Sequence, residues 1–257
     1  CKMKSYIAFV KKEFSESWRT YKLMIVLVVF LALGMLNPLT AKLLPELLKT
    51  VDTEGYTIIM NMEPSALDSW AQFYKNIPEM GLVVIVILFS GMMSTEYTKG
   101  TLINMLTKGL SRKNVIFAKL TMAFTLWTLS YVICFLTTYG YTAYFWKDNG
   151  LENLVLAGAC LWMFGNLLIT MVMFFGVIVK GGYGSLLLTV VGVGTMFMIN
   201  IVPKFREYNP LFLASGNIGL INKSVEASTF MIPFIVSLVL SVGFIVGSVV
   251  VFNKKQL

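Results

Sequence analysis

Uncharged apolar runs alternate with short charged stretches along the whole chain. The runs cover residues 23–41, 79–95 (after its opening glutamate), 120–146, 153–179, 181–202 and 227–252. Each is long enough to cross about 30 Å of hydrocarbon as a helix, which takes roughly 20 residues. The pattern predicts an all-α membrane protein of one domain with six transmembrane helices. Pro78-Glu79 suits the start of the second span, because proline fits the first turn and an acid favours the positive end of the helix dipole. Asn37-Pro38 is expected to kink or end the first. The third closes on Tyr139, Tyr141, Tyr144, Phe145 and Trp146, an interfacial aromatic belt.

Finer patterns lie between the spans. Over residues 4–20, Tyr6, Phe9, Val10, Phe14 and Trp18 interleave with Lys11, Lys12, Glu13, Glu16 and Arg19. This spacing describes an amphipathic helix lying in the headgroup plane; the alternative is a basic topogenic tail. No small-residue cleavage site follows, so a removable signal peptide is not expected. Residues 42–78 form a long, acid-rich loop with apolar clusters at Leu43, Leu44, Leu47, Leu48 and at Trp70, Phe73, Tyr74.

Residues 96–119 are the most structured connection. Leu102, Met105 and Leu106 fall at i, i+3 and i+4, so a short helix within 98–109 would show them on one face. Gly109 can end that helix and Ser111 can cap the next. Such a helix, held just outside the bilayer, suits docking to a partner; the alternative is a solvated basic loop. Glu96 closes the second span at the negative end of its dipole, where an acid is unfavourable. Lys99 or an elbow-helix residue such as Arg19 is the expected neutralising partner.

Composition agrees with a membrane chain: 57% hydrophobic, 13% charged, mean hydropathy +0.76. The net charge of +8 does not point to nucleic acid, because basic residues cluster beside the spans. Fourteen Lys/Arg residues fall on the side holding both termini and residues 96–119, against seven on the other, while ten of the 13 acids fall opposite. The positive-inside rule then places both termini in the cytoplasm.

Candidate chemistry is sparse. The chain has no histidine, and Cys1, Cys134 and Cys160 have no metal spacing. Cys134 and Cys160 are expected at different depths, as small buried groups rather than a disulfide. No span has a charge at its middle, which argues against an ion-driven transporter. The dipeptide Gly-Lys is absent, so Lys180-Gly-Gly-Tyr-Gly is a turn and not a phosphate loop. No paired carboxylates or nucleophile sets suggest an enzyme. Methionines at 92, 93, 163, 171, 173, 196 and 198, with Asn166 and Asn200, offer adaptable apolar surface or ordinary core filling. Gly243-x-x-x-Gly247 permits close helix packing.

Glu96-x-x-x-Gly100-Thr101, then Leu106, Ser111-Arg112 and Lys119, resembles the cytoplasmic loop of ABC transporter permeases of the ABC-2 exporter class. Gly109 and Ala118 stand where that class often has proline and glycine. The resemblance implies an N-terminal elbow helix at 4–20, a coupling helix at 98–109 and a short helical hairpin dipping into the outer leaflet at 203–226. It assigns Glu96, Gly100, Thr101, Leu102, Met105, Leu106, Ser111 and Arg112 to contact with a separate ATP-binding cassette subunit. That subunit, not this chain, would hold ATP-Mg; this chain is expected to bind no cofactor and no metal. The second and fifth spans would line the path, which makes Met92, Met93, Met196 and Asn200 the candidate path residues. The implied protein is a multi-pass permease of a bacterial cell membrane, paired with a second permease as homodimer or related heterodimer. Its cargo would be hydrophobic or amphipathic, with toxin-like or antimicrobial peptides the best guess. The alternatives are a non-transporting immunity or sensor subunit, or an exporter of lipids or small drugs.

Overall fold

A computed structural model describes residues 2–50, 63–98, 100, 107, 111–147, 151–179 and 181–255. These residues are helical with short turns, and no strand occurs among them. Helix α1 (Lys2–Arg19) turns through a left-handed Tyr21 into α2 (Lys22–Thr50). Helix α3 (Ala66–Asn76) passes through a π-helical turn, Ile77–Gly81, into α4 (Leu82–Ser90). A short α5 (Ser94–Thr98) follows, then α6 (Arg112–Phe145), α7 (Leu154–Ile178) and α8 (Gly182–Asn200). Three short helices, α9 (Pro203–Arg206), α10 (Phe212–Ser215) and α11 (Asn217–Ile221), precede α12 (Met231–Lys254). Six helical segments are long and apolar enough to cross a membrane. They make this an all-helical, multi-pass membrane protein.

The segment α7 is the most enclosed of the six, while α8 and α12 leave most of their apolar surface outward. Small residues on α7 let its neighbours close in. A side chain at Gly165 would meet the Trp127 ring of α6 at 2.2 Å. The same indole donates to the Trp162 carbonyl at 3.1 Å, and Tyr131 donates to the Gly158 carbonyl at 2.8 Å. Aromatic bulk on α6 thus packs on α7 while its polar tips are satisfied by α7 backbone.

The first span does not end at Pro38; α2 continues through Pro38 and Pro45. Proline deprives the carbonyl four residues earlier of its donor, and such a gap must be filled within the membrane. Here the Thr138 hydroxyl of α6 donates to the Gly34 carbonyl at 3.1 Å. Asn37, fully buried, donates to Thr138 at 3.3 Å and accepts from Asn76 at 2.8 Å. One polar node therefore joins the first three spans.

The second span also begins earlier than its apolar run. Ser65 caps α3 in a capping box with Asp68. Trp70 and Phe73 are buried against Tyr131 and Phe135 of α6, and buried Tyr74 packs on Phe73. Tertiary packing draws this amphipathic stretch out of the expected loop and into the bundle. Cys134 and Cys160 are free and buried.

Candidate functional site

The loop between α5 and α6 is bounded by two well-ordered anchors. At its start, Gly100 has φ +62, a left-handed conformation that glycine adopts without strain. At its end, the Ser111 side chain accepts from the Asn114 amide and caps α6. Thr101, Leu102, Met105 and Leu106 lie outside the described residues, as does Lys99. Thr107, which follows them, is helical and exposed.

Glu96 of α5 sits in a buried cluster of charges contributed by three helices. Lys119, on the third turn of α6, donates to both Glu13 carboxylate oxygens at 3.0 Å and to Glu96 Oε1 at 3.2 Å. Lys12 reaches Glu96 Oε1 at 2.8 Å, Glu16 Oε2 at 2.6 Å and Glu13 Oε1 at 3.2 Å. Glu13, Glu96 and Lys119 are each no more than 3% exposed. Phe9, buried on the same face of α1, lies beneath both ammonium groups at 5.3 and 5.9 Å.

Burial pulls the Lys12 ammonium down, but hydrogen bonds to Glu16 and Glu96 and the charge of Glu13 push it well above its ordinary range. Partial burial raises the Glu16 carboxyl, and the Lys12 bond outweighs it, so Glu16 lies below its ordinary value. Oxygens of Glu13, Glu16 and Glu96 lie within 4.8 Å of one another, a spacing that suits a cation. The two ammonium groups already fill that role. The arrangement is a lock between α1, α5 and α6.

One partner of Glu96 is on the helix expected, but at another residue. Arg19 is exposed at the end of α1, and the work falls to Lys12, about two turns nearer the N-terminus, joined by Lys119 of α6. The available signal was the spacing of Lys12, Glu13 and Glu16 beside buried Phe9. These residues share the inward face of α1 with Phe9, so they could not all be solvated.

Arg112 has a different environment from Glu96. Its Nη1 donates to the carbonyls of Phe252 at 2.7 Å, Asn253 at 3.0 Å and Lys255 at 2.7 Å. These are end groups of α12, which lack helical donors and favour a cation. Lys255 in turn donates to the Val177 and Ile178 carbonyls at the end of α7, at 2.5 and 3.2 Å. Its ammonium lies 4.6 Å from the centre of the Tyr97 ring, and Tyr97 packs edge-on against Phe252. Burial pushes the Tyr97 hydroxyl up to about 12, against the opposing pull of Arg112.

Further into the bundle, a groove of about 420 Å3 opens between the second, fourth and fifth spans. Val83, Val86 and Ile87 of α4 face Leu168 of α7 and Val190 and Phe197 of α8 across it, and Leu211 and Ala214 close one end. Thr189 is the polar side chain in its lining. The candidate path methionines are placed elsewhere. Met92 and Met93 are buried in the turn between α4 and α5, and Met196 is buried where its carbonyl accepts from Asn209 at 2.7 Å. The Asn200 side-chain oxygen is buried at the end of α8 with no hydrogen-bond partner among the described residues. The structure brings the second and fifth spans together, but through β-branched and aromatic side chains that carry no signal separate from ordinary span composition.

Among known families, residues 15–196 match the one described as ABC-2 family transporter protein. The match takes in the last turn of α1, the first four spans and most of the fifth, with Glu16, Glu96, Arg112 and Lys119 but not Lys12, Glu13 or the end of α12. No curated protein and no solved structure matches the chain.

Proposed function

The chain belongs to the ABC-2 transporter family and is thus a membrane permease subunit rather than a catalytic one, and from that premise we propose that it couples a separate ATPase to export. The carrying observation is the anchoring of residues 96–112. Glu96 is fixed to α1 and α6 by buried ion pairs, and Arg112 is fixed to the end of α12. A loop held at both ends passes a push on to the spans instead of absorbing it. In this reading Gly100, Thr101, Leu102, Met105 and Leu106 form the docking helix, with Glu96, Ser111 and Arg112 as its supports. ATP-Mg binds to the partner subunit. Both termini and the loop face the cytoplasm of a bacterial cell, as the charge asymmetry favours. A second permease, identical or related, completes the assembly.

The groove supports an apolar or amphipathic cargo, since one hydroxyl is the only polar side chain among its lining. Peptides of the toxin or antimicrobial kind are the best fit by analogy with small permeases of this class.

The test is co-purification of the full chain with an ABC ATPase subunit from the same cell, repeated with Leu102→Ala plus Leu106→Ala and with Leu106→Asp. Truncating a central interface anchor typically costs about 2 kcal/mol or more. Burying an unpaired carboxylate costs more. Both variants should insert, run as a single species and lose the ATPase, the aspartate variant more completely. Wild-type binding and turnover in both overturns the docking reading. Stable binding without cargo-dependent turnover in the unmodified chain favours the sensor or immunity reading instead.

A further inference from the structure

The guanidinium of Arg112 spends its donors on three backbone carbonyls about 140 residues away. Those carbonyls belong to the last turn of α12 and the residues just past it. Lys255, in the same turn, spends its ammonium on the last carbonyls of α7. Tyr97 and Phe252 fill the space between, with Arg112 5.7 Å from the Phe252 ring centre. The start of α6, the end of α5 and the ends of α7 and α12 therefore meet in one cluster. Among the described residues, these five bonds of Arg112 and Lys255 run from a cation to helix-end backbone.

We propose that Arg112 and Lys255 are positioning residues that clasp the loop to the fourth and sixth spans. The clasp rests on the docking reading above. Displacement of the end of α5 and the start of α6 then reaches α7 and α12 as a movement of their ends, alongside the movement of α1 through the Glu96 cluster. Without the clasp, the ATPase still docks, but the sixth span no longer follows. The C-terminal residues up to Lys255 are part of the coupling device and not a loose tail.

The experiment uses the full chain with its ATPase in nanodiscs of bacterial lipid. Spin labels are placed at Tyr144, at the far end of α6, and at Met231, at the far end of α12, in a background with the cysteines replaced. Both sites are well exposed. A non-hydrolysable ATP analogue is the probe, so no cargo need be known. The unmodified chain should show a nucleotide-dependent change in the Tyr144–Met231 distance. Lys255→Gln and deletion of residues 253–257 should keep ATPase affinity within about twofold, and these two together with Arg112→Gln, each measured with the ATPase at saturation, should lose at least about half of that change. Arg112→Lys, which keeps the charge and fewer donors, should restore part of it.

A full wild-type distance change in Arg112→Gln and in the deletion overturns the clasp and leaves docking intact. So does loss of monodispersity in all four variants, which would make these bonds purely structural. Failure of the unmodified chain to bind the ATPase overturns the docking reading, and the clasp falls with it.

Discussion

Lys119 and Glu13 are 106 positions apart in the chain, yet the ammonium of one lies 3.0 Å from both carboxylate oxygens of the other. The pair is buried almost completely, with Glu96 as a third member. Removing one partner of such a pair leaves an uncompensated buried charge, which typically costs about 3–5 kcal/mol. Lys119→Met should therefore strongly lower the thermal unfolding midpoint in detergent. Glu13→Gln combined with Lys119→Met should cost less than the two single changes added together. Strict additivity in that double-mutant cycle would show that the pair does not act as a unit.

The exposed side of the same cluster sets a pH window. Glu16 is held below its ordinary value of 4.5, so its contribution is complete above that value and is lost as pH falls through the folded-state value. Lys12 is held above 10.5, so its contribution is complete below that value and is lost at higher pH. The unfolding midpoint should be level between about pH 5 and about pH 10, as far as these two groups decide it, and should fall at both ends. Glu16→Gln should flatten the acid side. An unchanged acid limb in that variant would remove Glu16 from the account.

Gly165 should be intolerant of any side chain, because a Cβ there lands 2.2 Å from the Trp127 ring and the ring is fixed by its bond to Trp162. Overpacking of this kind costs about 1–3 kcal/mol. Gly165→Ala should lower the unfolding midpoint clearly, and Gly194→Ala, with open space around it, should not. Equal effects at the two sites would mean that backbone propensity, and not the Trp127 contact, is being measured.

How much of this was legible in the sequence differs by level. The six spans were legible because an uncharged run of about 20 residues has few alternatives in an apolar solvent. The starting point of the second was not. Ala66–Asn76 carries Asp68 and Lys75 and reads as surface, and only its packing on Tyr131 and Phe135 brings it into the bundle. Glu96 stood out because it breaks the dipole rule, but its partners lie on α1 and α6, and no local spacing specifies which helices pack together. That α2 runs on past Pro38 was not legible for the same reason: the donor that replaces its missing N–H is Thr138, on another span.

The sidedness of the chain has its own test. The span pattern assigns fourteen Lys/Arg residues to the side expected to hold both termini, against seven to the other. In a background with Cys1 replaced by Ser, Glu63→Cys should react with an impermeant thiol reagent applied to intact cells. Thr107→Cys, also exposed in the structure, should react only after the membrane is opened. Labelling of Thr107→Cys in sealed cells would invert the topology and remove the loop from the reach of a cytoplasmic ATPase.

The groove between α4 and α8 offers the sharpest test of cargo chemistry. Val83 and Val190 line it from opposite sides, and both are open enough to accept a larger ring. Val83→Phe with Val190→Phe should fill much of its 420 Å3 without disturbing the buried charge clusters at the loop. If hydrophobic peptide binds there, basal ATPase activity of the assembled complex should stay within about twofold. Stimulation by an amphipathic cationic test peptide should fall about tenfold or more, since even small misfits in an apolar pocket are worth that much. Val239→Phe, on the outward face of α12, adds the same bulk at a site that does not line the groove and should change neither quantity. Full peptide stimulation in the doubly filled variant would place the path elsewhere. The buried, unpartnered Asn200 oxygen near the end of α8 would then become the next position to probe.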